Sequence, residues 1–307
     1  MIVNKALILT DGKAGHENQS KAFARALGCE YELVEVHFKS KFHKALSYIF
    51  DRLGFYVRSL FKSTINYQLS TTNYSVVLGT GSGTFYAAKT MAKKLGVKCG
   101  VVLYPRGYRL STFDCILAPA FDNPAKAENI IEIPANLVAN DEAFYANGVA
   151  AFKEKSSAIP DIGVIIGGPN KCSAMTAEWM KQELDKIFAI AGIKGVTTSR
   201  RTPPEVEAVV DSYPWDFKLL YSKDHYNPIP AFVKLAKKLY VTAESTGMLS
   251  EACTFGEAEV VALDNLKPGP HKFRRFVENL RAGGYVDGNR KVDLSEEFAR
   301  ARKLLGF

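Results

Sequence analysis

The chain has 307 residues, 47% hydrophobic and 23% charged, enough for two ordinary α/β domains of ~150 residues and too apolar for a disordered or fibrous protein. Forty Lys and Arg against 32 Asp and Glu give a net charge of +8, which favours an anionic partner: nucleic acid, acidic lipid or a phosphorylated small molecule. The five cysteines, at 29, 99, 115, 172 and 253, are odd in number and scattered; they suggest neither a disulfide framework nor a zinc motif and suit a reducing cytoplasm.

The opening "MIVNKALILTDG" has too short an apolar run for a signal segment and reads as a first strand, "KALILT" (5–10). No window reaches the ~18 uninterrupted apolar residues of a membrane span, so a soluble or peripheral protein is expected. A helix near 17–27 and the strand "YELVEVHF" follow. From Phe38 to Phe61 the pattern changes: Phe42, Leu46, Ile49, Phe50, Leu53, Val57, Leu60 and Phe61 fall on one helical stripe, with Lys41, Lys44, Arg52, Arg58 and Lys62 off it. Such a segment is either a core-facing helix with a solvated basic face or a helix lying at the interface of an anionic bilayer. Gly54 weakens a single continuous helix in both cases.

Alternation resumes with "SVVLG" (75–79), a helix near 84–95, and the strands "CGVVLY" and "DCILAP". Residues 139–158 are polar and weakly periodic and mark the expected boundary, giving domains 1–150 and 151–307. After it come "DIGVIIGG" (161–168), a helix near 176–191, "GVTTS" (195–199), a helix near 203–212, "FKLLYS" (217–222), a helix near 229–236, "KLYVTA" (238–243), a helix near 246–255 and "AEVVAL" (258–263). Strands alternating with helices predict α/β domains with parallel, doubly wound sheets, whose ligands sit beyond the carboxyl ends of the strands. The last helix, 294–307, is free to pack back on the N-terminal domain.

Five strand ends carry polar or glycine-rich turns. In "TDGKAGHENQS" (10–20) the glycines allow close backbone approach, the N–H groups of the helix start attract anions, Lys13 adds a charge, and His16, Asp11 or Glu17 could act as general base. A strand-to-helix turn with a capping Asp is the plain structural alternative. "GTGSGT" (79–84) resembles fragments of a dinucleotide fingerprint without its third glycine, and reads equally as a tight turn or a ligand cradle. In "GGPNK" (167–171) Gly167 and Gly168 open the backbone while Asn170 and Lys171 offer donors to phosphate or hydroxyl. "TTSRRTPPE" (197–205) presents Ser199, Arg200 and Arg201 before a proline-started helix, and adjacent arginines call for an anion or an acidic partner. In "VTAESTGMLSEA" (241–252) Ser245 or Thr246 either caps the next helix or helps bind a diphosphate, and Glu251 either accepts from a ribose diol or stands as a solvated helix charge.

In order, "LTDGKAGHENQS", "IGGPNK", "TTSRRTP", the Asn-Pro at 227–228 and "VTAESTGMLSEA" resemble the mitochondrial fission Elm-one-like family over most of the chain. Its bacterial members are regarded as glycosyltransferases of lipopolysaccharide or lipooligosaccharide core assembly. The resemblance implies the GT-B fold, two Rossmann-like doubly wound domains facing a cleft. The 241–252 segment also looks like the donor-binding region of broader GT-B enzymes, in which a Glu at the place of Glu251 grips the donor ribose and Gly256 follows five residues later. Ala243 stands where many such enzymes carry a phosphate-contacting His, and Glu244 where family members often show Asp. The N-terminal loop looks like the His-ending glycine-rich loop of the peptidoglycan lipid-linked N-acetylglucosaminyltransferase, which implies His16 near the acceptor. Neither a metal nor a separate cofactor is implied, since helix dipoles and side-chain cations serve the leaving diphosphate in such enzymes.

The expected function is therefore sugar transfer from a nucleotide-activated donor to a lipid-linked saccharide acceptor. The donor residues are Gly167, Gly168, Asn170, Lys171, Ser199, Arg200, Arg201, Glu244, Ser245, Thr246, Gly247, Met248 and Glu251; His16, Asp11 or Glu17 deprotonates the acceptor. The expected location is peripheral, on the cytoplasmic face of a bacterial inner membrane, with residues 38–62 on its anionic surface. A nucleotide-sugar epimerase of GT-B architecture and a noncatalytic membrane-surface adaptor stay open as alternatives. Nucleic acid is not an expected partner, because the basic residues are dispersed or lie beside the apolar stripe.

Overall fold

The apolar runs become the strands of two separate parallel sheets. The computed structural model describes residues 4–62 and 73–307 and divides the chain into unit 1, Met1–Ala139 with Leu294–Phe307, and unit 2, Asn140–Asp293.

In unit 1 the elements run β1 (Lys5–Thr10), α1 (Ala14–Ala26), β2 (Glu30–Glu35), α2 (Lys41–Leu53), β3 (Val76–Thr80), α3 (Phe85–Leu95), β4 (Lys98–Val102), β5 (Cys115–Pro119) and β6 (Ile130–Ile133). The sheet order is β2-β1-β3-β4-β5-β6. β1 and β3 are buried almost throughout, as strands covered on both faces are, so they read as unbroken apolar runs. Leu9 lies opposite Gly79, which sets the turns after β1 and β3 side by side.

The stripe predicted over 38–61 is not one helix. α2 starts at Ser40, whose hydroxyl accepts from the His43 N–H, and ends at Gly54 with φ of 78°, a left-handed conformation suited to glycine. Phe38 and Phe61 then form an antiparallel bridge that folds the segment back, and Leu60 and Phe61 enter the core of unit 1. α2 is also turned against the usual sense. Ser47 and Asp51 are 0% exposed, whereas Phe42, Ile49 and Leu53 are 67%, 54% and 63% exposed. Asp51 accepts from Lys89 Nζ and from the Arg109 N–H, each at 2.6 Å, and the Ser47 hydroxyl bonds that of Tyr108 at 2.9 Å. A buried ion pair persists only when its remaining donors and acceptors are satisfied; Lys89 also donates to the Arg109 carbonyl at 2.8 Å and lies 4.0 Å from the Phe113 ring centroid. These polar bonds fix which face looks inward.

Unit 2 runs α4 (Glu142–Lys155), β7 (Ile162–Ile165), α5 (Ala177–Phe188), β8 (Lys194–Thr197), α6 (Pro204–Asp211), β9 (Phe217–Leu219), α7 (Ile229–Leu235), β10 (Lys238–Thr242), α8 (Thr246–Phe255), β11 (Glu259–Leu263) and α9 (Lys272–Ala282), with sheet order β11-β10-β7-β8-β9. The boundary expected at residue 150 falls inside α4, which Asp141 caps by accepting from the Phe144 N–H at 2.9 Å. α4 belongs to unit 2 because Phe152 is buried against Phe217 and Phe232, with ring centroids 4.7 and 5.9 Å away. Gly148 permits the close approach: a Cβ there would sit 2.5 Å from the Pro230 ring. The division instead falls between residues 139 and 140.

The final helix, α10 (Ser295–Leu305), follows the second domain in sequence and packs back on the first, as part of unit 1. Lys98 Nζ donates to the Leu304 carbonyl at 2.6 Å, Arg302 to the Ala26 carbonyl at 2.6 Å and Arg300 to the Glu128 carbonyl at 2.7 Å, while Ala301 and Leu305 are buried.

Candidate functional site

In unit 2, buried polar bonds tie together the turns that follow β7, β8 and β10. Glu244 is 3% exposed and both its oxygens are engaged: Oε1 accepts from the Gly168 N–H at 2.8 Å and the Thr242 hydroxyl at 3.1 Å, and Oε2 accepts from Asn265 Nδ2 at 2.7 Å. Burial raises its carboxyl above the usual range against the pull of these bonds. Expected as a donor-facing group, Glu244 is instead occupied within the protein, where it fixes the glycine turn. Gly167 and Gly168 are there for close packing: a Cβ on Gly167 would stand 2.1 Å from Glu244 Oε1, and one on Gly168 would stand 2.2 Å from the Arg201 carbonyl oxygen. Thr202 completes the knot by donating to the Gly167 carbonyl at 2.6 Å.

The groups left facing outward are cations and hydroxyls. Asn170 shapes its own turn, Oδ1 accepting from the Cys172 N–H at 2.7 Å, and Ser199 accepts from the Arg201 N–H at 3.2 Å. The side chains of Lys171, Arg200 and Arg201 are exposed and have no carboxylate partner among the described residues. Arg200 and Ser199 line a cavity of about 470 Å³ with Thr202, Glu207, Tyr221 and Ser222, at the ends of β8 and β9. Ser245 occupies the N-cap of α8 without a side-chain capping bond, so the first N–H groups of that helix stay available; Gly247 and Met248 form its first turn, and nothing lies within 4 Å of a Cβ on Gly247.

Glu251, farther along α8, is not a solvated helix charge. Its Oε1 accepts from the Tyr145 hydroxyl at 2.9 Å and from Asn140 Nδ2 at 3.1 Å, and burial raises its carboxyl despite these donors. Tyr145 is held by stacking on Phe255, centroids 4.8 Å apart. Oε2 has no hydrogen-bond partner among the described residues. One oxygen is thus anchored and the other is not.

In unit 1, the adjacent turns after β1 and β3 assemble a dyad. Asp11 Oδ1 lies 2.9 Å from His16 Nδ1, and Asp11 Oδ2 lies 2.5 Å from Lys13 Nζ. Burial works to raise the Asp11 carboxyl, but Lys13 and His16 outweigh it and leave it below the usual range. An ionised Asp11 that accepts a hydrogen bond from Nδ1–H leaves Nε2 as the basic nitrogen. Glu17 is not brought to this pair; it bonds Lys21 at 2.6 Å along α1. The "GTGSGT" turn is what encloses the dyad. Gly81 has φ of 83° and a Cβ there would stand 2.4 Å from His16 Cε1, while one on Gly83 would stand 2.9 Å from Asp11. Lys44 reaches over from α2 to Ser82, Nζ to Oγ 2.8 Å.

The profile of the family described as Mitochondrial fission ELM1 matches residues 14–301. The chain belongs to the mitochondrial fission ELM1 family. The mitochondrial fission protein ELM1 of Arabidopsis thaliana is 24% identical to this ELM1-family chain over 363 aligned positions, covering 93% of this chain and 84% of that protein. Among solved structures, the glycosyltransferase SnogD from Streptomyces nogalater superposes with a TM-score of 0.54 at 12% identity, covering 99% of this chain and 95% of that one. MnaA of S. aureus, solved with UDP, gives 0.50 at 13% identity, covering 98% and 87%. The ELM1-family chain thus has the GT-B fold. Among its described residues no helix is long and apolar enough to cross a membrane, and no three His, Cys, Asp or Glu side chains gather as metal ligands.

Asn140, Tyr145 and Asn265 carry no motif that marks them in the sequence of this ELM1-family chain. The glycines around His16 were visible only as an ambiguous turn.

Proposed function

We propose that the protein is a glycosyltransferase that moves a sugar from a nucleotide-activated donor to a lipid-linked saccharide acceptor, in the assembly of a lipopolysaccharide or lipooligosaccharide core. The observation that carries this reading is Glu251, half-anchored by Tyr145 and Asn140 with one oxygen left over, on the same helix whose uncapped start presents Ser245 and Thr246. A carboxylate with a fixed and a free oxygen suits a ribose diol, and free N–H groups with Lys171, Arg200 and Arg201 suit a diphosphate. Likeness to SnogD and to UDP-bound MnaA supports a nucleotide-sugar partner. In this reading His16 Nε2 takes the proton of the attacking hydroxyl while Asp11 orients the ring.

The outward face of α2 supports peripheral docking at the cytoplasmic surface of an anionic membrane, where such an acceptor resides. Phe42, Ile49, Leu53 and Phe55 are exposed together, and Lys41 and Arg52 are exposed among them.

The test is a thermal-shift panel of nucleotide sugars, followed by incubation of the binding donor with and without a lipid-linked saccharide. A donor at ~100 times its dissociation constant adds about 2.7 kcal/mol of stability. Transfer that requires acceptor supports the proposal. Isomerised donor sugar formed without acceptor assigns an epimerase, and no stabilisation by any nucleotide sugar removes the enzymatic reading.

A further inference from the structure

The turns of unit 1 hold more positive charge than the dyad uses. Lys13 and His16 both bond one carboxylate, Asp11, and the Glu35 carboxylate, which bonds His37 at 2.7 Å, borders the same turn at Gly12. Lys44 comes from another element, the inward side of α2, and its ammonium has a hydroxyl partner in Ser82 but no carboxylate among the described residues. It is half-buried. Burial lowers the proton affinity of Lys44, neighbouring Lys13 lowers it further, and Asp11 opposes both. Asp11 is already bonded to Lys13 and His16, which leaves the partly desolvated Lys44 ammonium with the Ser82 hydroxyl as its bonded partner among the described residues.

The backbone around these lysines also suits an anion. Lys13 sits at the N-cap of α1 and Thr84 at that of α3, neither with a side-chain capping bond, because the Thr84 hydroxyl donates to the Gly81 carbonyl instead. The glycines at 81 and 83 keep side chains away from the same place. The cations and donors therefore come from three elements and meet beside a histidine whose second nitrogen is free for chemistry. Bland alternatives explain less: a lysine recruited only to fasten α2 has no need to lie beside another lysine, and α2 is already fastened by Asp51 and Ser47.

We propose that Lys44, with Lys13 and the Ser82 hydroxyl, holds a phosphate group of the acceptor next to the Asp11–His16 dyad. This rests on the reading of unit 1 as the acceptor side; the binding of phosphate itself does not. It adds that the acceptor is anionic near its reacting hydroxyl, and that α2 supplies a recognition group from one face while its other face is apolar and exposed.

The experiment is calorimetric titration of the full chain with inorganic pyrophosphate, in a Lys171→Ala/Arg200→Ala/Arg201→Ala background that removes the cations proposed for the donor diphosphate. Lys44→Ala added to that background is expected to weaken pyrophosphate binding at least tenfold, and Lys44→Arg to restore most of it. Lys44→Gln serves as a second neutral variant, and circular dichroism with thermal melts confirms folding. Unchanged binding in both neutral variants overturns the proposal. So does a loss of binding to phosphatidic-acid vesicles on Lys44→Ala with pyrophosphate binding intact, which assigns the lysine to a lipid surface. Failure of the function reading looks different: the pyrophosphate site survives while no donor and acceptor pair is turned over.

Discussion

His16 Nδ1 is 2.9 Å from Asp11 Oδ1, and its Cε1 occupies space that a methyl group on Gly81 would need, at 2.4 Å. Ring orientation is thus set by a carboxylate on one side and by the absence of a side chain on the other. His16→Gln is expected to lower kcat for transfer by about 10²–10⁴-fold with donor KM little changed. Asp11→Asn keeps the shape and loses the orienting charge, so it falls in the same direction. Gly81→Ala adds backbone strain at φ 83° and displaces the ring, and should also lower kcat. Steady-state kinetics with full donor saturation checks all three; an unaltered kcat in His16→Gln rejects the base assignment.

Glu251 ties affinity to pH. Burial raises its carboxyl, and a ribose diol donates best to the ionised form. Donor affinity should therefore weaken as pH falls through that raised value, at a pH above the ordinary carboxylate range. Glu251→Gln should bind more weakly at neutral pH and lose the dependence. Tyr145→Phe removes one anchor and should cost about 0.5–1.5 kcal/mol in donor binding. Titration calorimetry at several pH values reads both effects.

Glu244 makes the opposite kind of claim, about stability. Its folded carboxyl is raised above its unfolded value by burial, so its favourable contribution is present at acid pH and is lost as pH rises through the folded value. Glu244→Gln should flatten that fall because it removes the titrating group, and Asn265 Oδ1, buried without a partner, can turn to meet the new amide. Glu244→Ala strands the Gly168 N–H and the Asn265 amide, at about 1–3 kcal/mol for each. Denaturant midpoints across pH separate the variants.

The Asp51–Lys89 pair holds α2 polar side in. Removing one partner, as in Lys89→Met, should destabilise unit 1 by about 3–5 kcal/mol, and the Asp51→Leu/Lys89→Met double variant should cost less than the two single changes together. Urea melts of the four proteins complete the cycle.

On the outward side, Phe42→Ser/Ile49→Ser/Leu53→Ser should leave the melting temperature nearly unchanged and reduce sedimentation with vesicles containing anionic lipid. Equal loss on neutral vesicles would show that charge plays no part, contrary to the role given to Lys41 and Arg52.

The parallel sheets were legible because strands covered on both faces run apolar between turn residues, as in "KALILT" and "GVIIGG". β6 was not, since Ile130–Ile133 is too short to stand out from its polar surroundings. α4 escaped because Tyr145 and Phe152, seven residues apart, are the buried positions of an otherwise half-exposed helix, and a glycine lies between them. α2 was found, but its orientation was not readable: period shows which residues share a face, while partners distant in sequence, Lys89 and Arg109 for Asp51 and Tyr108 for Ser47, decide which face is buried. The same distance in sequence concealed the site. Glu251 was recognisable by position, yet its anchors lie 106 and 111 residues earlier, and Glu244 looked like a ligand group because its partner Asn265 is in a different turn.

The return of α10 to unit 1 gives the chain an order of assembly. Unit 2 is a contiguous insertion, complete once residue 293 has left the ribosome, while the β4–β6 edge of unit 1 waits for residues 294–305 to cover it. During synthesis the second-made half is thus the first able to finish folding. Until then the flank that Ala301 and Leu305 cover has no lid from its own chain.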